Sequence, residues 1–307
     1  MEKQRELLQR IAGRADREGI LATAIPQLSL IRSNAVTEPL HTLYDPSYCL
    51  VVSGRKRARI GDRDVIYAAG EGLAVGMDLP VIGAVIAASR DVPYLSLKFD
   101  IDRTVLADLL LSLPRTAAPE PPPRFAASVQ TATPEVLDAC VRLLRLLDHP
   151  EDIAVMAPLI EREILYRLLT GPQSAVLRQI ATGESHLGRI GRAVDHLRRN
   201  YAEPTTIEDL AGIAGMSAST FHDHFRAATA MSPLQFRTRI RMQEARRLMV
   251  AEGLTAAEAG FRVGYESPSQ FSRDHVRLYA RPPRRDLERM RVRNCSGLIA
   301  VAARKWS

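Results

Sequence analysis

The side chains best suited to chemistry fall in two short stretches that repeat one another, Ser217-Ala218-Ser219-Thr220-Phe221-His222-Asp223 and Ser267-Pro268-Ser269-Gln270-Phe271-Ser272-Arg273. Each sets hydroxyls, amides and charges around one phenylalanine. These residue types suit the reading of base edges better than the making or breaking of bonds. Glutamine can bridge N6 and N7 of adenine, and arginine can fork onto O6 and N7 of guanine, each pairing supplying roughly 1–3 kcal/mol of discrimination. Counted from the aligned Phe221 and Phe271, the outward positions are Ser219, Thr220, His222 and Asp223 in the first stretch, and Ser269, Gln270, Ser272 and Arg273 in the second. Gln270 and Arg273 are the sharpest candidates. Ser217 reads mainly as a helix cap, Pro268 opens the second helix, Arg226 and Arg277 follow further along each helix, and Arg239 is expected to meet phosphate.

The flanking sequence supplies the elements that hold these side chains. Thr206 with Asp209 forms a capping box, followed by Ile207, Leu210, Ala211 and Ala214 at helical spacing, and Gly215 stops the helix before Ser217 starts the next. Phe221 and Phe225 make that second helix's buried stripe. Met231-Ser232-Pro233 then opens a long helix to about Val250, predicted to bury Leu234, Ile240, Ala245 and Leu248 and to present Arg237, Arg239, Arg241, Arg246 and Arg247 on its other face. The pattern repeats from Thr255 with Glu258 as its box, through Ala256, Ala259 and Val263 to Gly264, and restarts at Ser267-Pro268. Helix, short glycine turn, helix is thus written twice. In such a unit the second helix enters the major groove and the first crosses the sugar-phosphate backbone.

Charge agrees with a polyanionic partner. From Glu184 onward there are 21 Lys and Arg against 13 Asp and Glu, whereas the preceding residues hold 21 against 22. A basic excess confined to one end points to double-stranded DNA as the partner, with binding that weakens as salt rises. Cys49, Cys140 and Cys295 are scattered and show no C-x-x-C spacing, which suits a reducing compartment and offers no zinc site. No run approaches 18 apolar residues and no signal-peptide core opens the chain, so the expectation is a cytoplasmic protein with no membrane contact.

The N-terminal part reads differently. A helix over residues 2–17 precedes strand-like runs at 28–33, 49–53, 57–60, 64–68, 73–77, 83–88 and 94–99, separated by turn signals such as Ser53-Gly54 and Gly61-Asp62. Short strands at this spacing predict a β-barrel or sandwich. Tyr44, Tyr48, Tyr67, Met77 and Phe99 are candidates to line an effector pocket there. His41 is the one histidine in the region, too few for a metal-dependent barrel enzyme, and reads as a surface residue. Neither a G-x-S-x-G elbow nor a P-loop nor a dinucleotide fingerprint is present, so no catalytic residue, cofactor or metal is expected. The proline-rich 119–123 leads into two apolar helices, one carrying Val136, Leu137, Cys140, Leu143, Leu144 and Leu147, the other Leu159, Ile160, Ile164, Leu165 and Leu168. The division expected is a barrel over 1–132, a helical hairpin over 133–171, a linker over 172–188, a helical DNA-binding domain over 189–293 and a tail over 294–307.

On these residues the C-terminal part resembles the DNA-binding domain of AraC/XylS-type bacterial transcriptional regulators. The match runs from Leu187 to Met290 through Ala193-Val194, Ile207-Glu208-Asp209-Leu210-Ala211, Met216-Ser217, Phe221 to Phe225-Arg226, Met231-Ser232-Pro233-Leu234-Gln235-Phe236, Arg241-Met242-Gln243-Glu244-Ala245-Arg246-Arg247-Leu248 and Val263-Gly264-Tyr265-Glu266-Ser267-Pro268-Ser269-Gln270-Phe271-Ser272-Arg273. The segment from Pro39 to Asp102, with Leu43-Tyr44-Asp45-Pro46-Ser47, Ile60-Gly61-Asp62 and Asp78-Leu79-Pro80-Val81, is similar to the cupin-like N-terminal domain of one subfamily. The resemblance implies an α+β chain of two domains, a cupin-like barrel with a helical hairpin followed by an all-α domain. It further implies two helix-turn-helix units in adjacent major grooves, a homodimer seam on one hairpin helix, a small-molecule effector, and an activator working with RNA polymerase. Three positions depart from the family pattern: Asp223, where a cation or neutral polar residue is usual, His275 in place of a buried aromatic, and Ala280 in place of a left-handed glycine. These departures predict a weak grip by the first unit and looser packing in the second. The competing readings are a cupin-type enzyme tethered to DNA and a sequence-indifferent architectural protein.

Overall fold

In the computed structural model, residues 2–113 and 124–294 are described. The proline-rich 119–123 and the tail beyond 294, with Cys295 and Lys305, lie outside them. Helix α1 (Glu2–Arg14) is followed by nine strands: β1 (Gly19–Ala22), β2 (Leu28–Ser33), β3 (Leu40–Tyr44), β4 (Ser47–Ser53), β5 (Arg55–Ile60), β6 (Arg63–Ala68), β7 (Glu71–Val75), β8 (Leu79–Ala87) and β9 (Tyr94–Asp100). Helix α2 (Arg103–Ser112), strand β10 (Ala127–Thr131), α3 (Pro134–Arg145), α4 (Ile153–Thr170) and α5 (Ser174–Ala181) complete the first half. The second half is helical: α6 (His186–Arg199), α7 (Ile207–Ala214), α8 (Ala218–Thr229), α9 (Pro233–Ala251), α10 (Ala256–Arg262), α11 (Pro268–Tyr279) and α12 (Pro283–Asn294).

The strands form two facing antiparallel sheets, ordered β1-β2-β9-β4-β7-β10 and β3-β8-β5-β6. The period of two along each strand decides what each sheet buries. In β4, Tyr48, Leu50 and Val52 point to a helical layer, while Cys49 and Val51 point between the sheets. Leu95, Leu97 and Phe99 of β9 meet the same helical layer, built from Leu7 and Ile11 of α1, Val136 and Leu143 of α3, and Ile164 and Leu168 of α4. Both faces of the larger sheet are therefore covered, which is why β4 is buried along its whole length. This sorting divides the pocket candidates: Tyr44, Tyr67 and Met77 belong to the intersheet side, and Tyr48 and Phe99 to the helical side.

Several elements were not anticipated. β1, β3 and β10 are short, partly exposed strands at sheet edges, and β3 and β10 carry polar residues in place of an apolar run. The segment expected as a linker, 172–188, carries α5 with Val176 and Leu177 buried, and the start of α6 capped by Ser185. α1 ends three residues early, at Arg14.

One apolar cluster runs from the intersheet space into α6, α7, α8 and the start of α9, whereas the second helix-turn-helix unit has its own small core around Met242, Leu248, Val263, Tyr265 and Phe271. Both recognition-type helices, α8 and α11, end on an alanine in the left-handed region, Ala230 and Ala280, each at φ 56°. The departure noted at Ala280 thus occurs in both units. A Cβ in that region costs about 1–2 kcal/mol. We expect Ala280→Gly, at the exposed end of α11, to raise unfolding stability by roughly 0.5–1 kcal/mol after the entropy of glycine in the unfolded chain is charged against it; denaturant unfolding of the variant against the parent measures this.

Candidate nucleic-acid interface

The first unit is built by local rules. Thr206 accepts from the Asp209 N–H, and Asp209 accepts from the Thr206 N–H. Gly215 caps α7 at φ 61°, and the Arg189 guanidinium donates to the Ala214 carbonyl at 2.6 Å. Ser217 then caps α8 by accepting from the Thr220 N–H. Phe221 and Phe225 are fully buried with centroids 5.4 Å apart, and Phe225 stands edge-on to Phe236 at 5.4 Å. With that face inward, Ser217, Ser219, Thr220, His222, Asp223 and Arg226 are all exposed. The His222 ring lies 3.9 Å from the Asp223 carboxylate, and the Ser217 hydroxyl bonds to that of Thr220.

The second unit repeats the design with different chemistry. Thr255 and Glu258 form the capping box, and Gly264 turns the chain at φ 86°. A side chain there is also blocked, because a Cβ would stand 2.2 Å from the Ala202 carbonyl oxygen. Phe271 is fully buried and edge-on to Tyr265 at 5.4 Å, and the Tyr265 hydroxyl donates to Asp274. Pro268, Ser269, Gln270, Arg273 and Arg277 are exposed and Ser272 is half-buried. Arg277 is paired with Asp274 at 2.7 Å, while Arg281, Arg284 and Arg285 add exposed positive charge beyond α11. Ser267 makes no side-chain cap, unlike Ser217.

The long helix α9 corrects the sequence reading in two respects. Leu234 is 61% exposed, and the buried residue of that turn is Phe236. Its arginines are largely structural rather than a free cationic face. Arg241 donates to the carbonyls of Tyr201, Ala202 and Gly264, tying both units to α9 with one guanidinium. Arg246 pairs with Asp286 at 2.9 Å, and Arg247 with Glu244 and Glu252. Arg239 is half-buried where α9 packs on β3, and desolvation lowers its pKa. That placement does not suit the phosphate contact expected of it. His41 of β3 is not a surface residue either: its ring packs edge-on to Tyr279 at 4.7 Å, and burial, then the charges of Arg246 and Arg239, pull its pKa down to about 4.

His275, expected to loosen the second unit, is fully buried and partnered. Its Nδ1 lies 3.0 Å from the Arg281 carbonyl and its Nε2 3.4 Å from Asp286. The Tyr279 ring packs against it at a tilt of 56° and takes the Arg246 guanidinium on its face at 4.1 Å. Burial by itself would raise the Asp286 pKa, but the bond to His275 and the Arg246 charge outweigh burial and lower it. A carboxyl depressed in the folded state contributes stability above its unfolded pKa and loses it as pH falls through the folded one. Asp286→Asn should therefore destabilise the chain at neutral pH by about 1–3 kcal/mol, and the deficit should shrink as pH drops below the ordinary carboxylate range; unfolding curves across pH 3–7 check the sign and the window.

The barrel is joined to the first unit by contacts that no sequence signal announced. Arg198 of α6 donates to Asp78 at 2.7 Å and lies 3.2 Å from Asp45. Burial pushes the Asp78 carboxyl up to about 6 against the pull of Arg198. Arg103 pairs with Asp195 and the Ala126 N–H donates to the Ala228 carbonyl, while Glu38 pairs with Arg289 of α12, beside the second unit. The β5–β6 turn presses on the end of α8 so closely that a Cβ at Gly61 would stand 1.9 Å from the Ala230 carbonyl oxygen.

A two-sheet domain with a helical layer, followed by two helix-turn-helix units sharing one long helix, defines the bipartite helix-turn-helix class of regulator fold. Family comparison is specific at both ends: residues 24–176 match the AraC-type transcriptional regulator N-terminus and residues 210–289 a helix-turn-helix domain. The chain belongs to the AraC-type transcriptional regulators. It is 26% identical over 148 residues to the HTH-type transcriptional activator RhaS of Yersinia pestis, covering 48% of this chain and 52% of RhaS, so it spans about half the length of the curated relatives it matches. The crystal structure of ToxT from Vibrio cholerae O395 superposes with a TM-score of 0.55 at 9% identity, over 85% of this chain and 96% of ToxT. Unsaturated fatty acid bound wild-type ToxT gives 0.52 at 9%, over 85% of this chain and 93% of that one. These likenesses establish the shared fold. With this membership, the tethered cupin-type enzyme gives way to a transcription factor.

Proposed function

We propose that this protein is a sequence-specific DNA-binding transcriptional regulator of the activator type, with α8 and α11 entering successive major grooves. The observation that carries the reading is that both helices bury one phenylalanine face and leave their first turns exposed with base-reading side chains. Specificity concentrates in the second unit. Gln270 and Arg273 offer bidentate readout amid exposed arginines, while the first unit presents the acid Asp223 toward a polyanion. Ser217, Ser219, Thr220, His222 and Arg226 position the first helix through phosphate and water contacts, and Pro268, Ser269, Ser272 and Arg277 complete the second. A sequence-indifferent architectural protein would have little use for a reading set so unevenly divided between the units.

The barrel over 1–132 acts as the regulatory domain under a small-molecule effector, a reading supported by the fatty acid held by the similarly folded ToxT. α4 of the hairpin leaves Val155, Met156, Leu159 and Tyr166 exposed, and a second copy covering them makes a homodimer that recruits RNA polymerase at repeated sites. Among the described residues no helix is long and apolar enough to cross a membrane, which fits work on DNA in the cytoplasm.

Selection of the full chain against a random duplex library should return a preferred site; competition curves that do not distinguish that site from random duplex would leave only the architectural reading. On the selected site, Arg273→Ala should cost about 1–3 kcal/mol of affinity and less on random duplex. Arg239→Ala should leave the slope of log affinity against log salt unchanged, because that side chain packs on the barrel; a drop of about one in that slope would return it to a phosphate.

A further inference from the structure

Beside α8 stands a pair of histidines outside the base-reading set. His224 of α8 and His186, the first residue of α6, face each other with ring centroids 4.4 Å apart and planes tilted by 38°. His186 is exposed and His224 half-buried. Burial, then the charges of His186, Arg124 and Arg189, hold the His224 pKa below the ordinary imidazole value, and the neighbouring Asp223 alone acts against them. Four basic groups thus share one acid. They come from three parts of the chain: Arg124 from the segment leading into β10 of the barrel, His186 and Arg189 from α6, and His224 from α8. Arg189 is fixed at the turn before α8 by its bond to the Ala214 carbonyl, and Arg124 is exposed.

Two imidazoles in contact resist protonation, because like charges at that distance repel and two guanidinium charges add to the cost. An anion brought from outside reverses that balance. The position of the pair says which anion. His224 lies about 100° round the helix from Asp223, on the flank between the exposed face of α8 and the buried face of Phe221 and Phe225. A helix with its side chains is about 10–12 Å across and the major groove about 12 Å wide, so the flanks of an inserted helix abut the phosphate strands. A metal ion is a poorer match: two guanidinium charges act on the pair, and among the described residues the one three-ligand group lies elsewhere, at His149, Glu151 and Asp152. We infer that His186, His224, Arg124 and Arg189 clamp a backbone phosphate of the duplex beside α8, and that the histidine pair takes up a proton as the phosphate arrives. The inference rests on the DNA-binding regulator proposed above and adds to it a pH-dependent contact, part of which, Arg124, comes from the barrel side of the chain.

The test is binding of the full chain to its selected duplex, read by fluorescence anisotropy from about pH 5.5 to 8 at fixed salt, for the parent and for the double variant His186→Gln, His224→Gln. A group whose pKa is raised in the complex adds affinity below its free pKa and loses it as pH rises through the bound one. The parent should therefore outbind the double variant by about tenfold or more near pH 6, as a hydrogen bond to a charged group allows. Near pH 8 the difference should fall below about twofold. At the lower pH the variant's slope of log affinity against log salt should be shallower by about one. A neutral methylphosphonate placed in turn at each phosphate of the first unit's half-site should, at one position, weaken the parent and leave the double variant unaffected. Equal affinities at the lower pH, a deficit that stays constant with pH, or the absence of such a position would each overturn the inference. Should the double variant fail to fold, His186→Gln alone changes an exposed side chain and should lose affinity several-fold near pH 6 and almost none near pH 8; unchanged affinity at the lower pH overturns the inference equally. A parent that shows no preferred site removes the regulator reading itself, whereas a preferred site without the pH-dependent difference removes only the clamp.

Discussion

Burial of one phenylalanine per unit, Phe221 in α8 and Phe271 in α11, is the constraint from which the exposed surface follows. A helix gives its side chains fixed angular positions, so locking one ring inward decides which residues of the next turn face solvent. Phe225 meets the first ring at 5.4 Å and is itself met edge-on by Phe236, and Tyr265 stands edge-on to the second ring at 5.4 Å. The turns before α8 and α11 then have little freedom. Gly215 and Gly264 adopt positive φ, and the guanidiniums of Arg189 and Arg241 satisfy carbonyls freed at those bends. The two exposed faces are the geometric residue of where two aromatic rings are buried.

The units share this plan but not their surroundings. The first belongs to the same apolar cluster as the barrel interior and is fastened to the barrel by Arg198, by the Ala126–Ala228 bond and by the turn at Gly61. The second keeps a separate core, within which His275, Asp286, Arg246 and Tyr279 form a buried polar network where a purely apolar aromatic was expected. Such a network is specific rather than cheap, because each member is costly unless the others are in place. Arg241 is the tie between units, and α9 is its rigid mount.

Much of the helical half was legible because its signals are local. The capping boxes at Thr206 and Thr255, the stop at Gly215, the restart at Ser217 and the buried phenylalanines are decided within a few residues of sequence, and the structure realises each. The misreadings share a cause. Leu234 lies at the start of a helix whose buried turn is set by Phe236, and the arginines of α9 look like a solvated stripe until Asp286, Glu244 and the carbonyls of Tyr201 and Ala202 arrive from elsewhere in the chain. β3 and β10 were missed because edge strands need no apolar run, β1 because four residues are too few to show a period, and α5 because its eight residues are flanked by Gly171-Pro172 and Gly183, which read as a linker. His41, and the sorting of Tyr44 and Tyr67 from Tyr48 and Phe99, depend on sheet pairing that no local pattern encodes.

The joint between barrel and first unit also bears on how regulation would reach DNA. The barrel grips α8 at its C-terminal end, through Ala228 and Ala230, and leaves Ser219, Thr220 and His222 at the other end exposed. The face proposed to read DNA is thus left uncovered by the barrel. What it restrains is the pose of α6, α8 and α9, with α9 packed on β3 and His41 of β3 set against Tyr279 of α11. Two recognition helices on one rigid mount reach successive grooves only at the correct separation and tilt, so a small change in the barrel that shifts the mount alters both insertions together. On the proposed reading, the strong second unit supplies the sequence preference. The weak, barrel-bound first unit then decides whether that preference becomes stable occupancy.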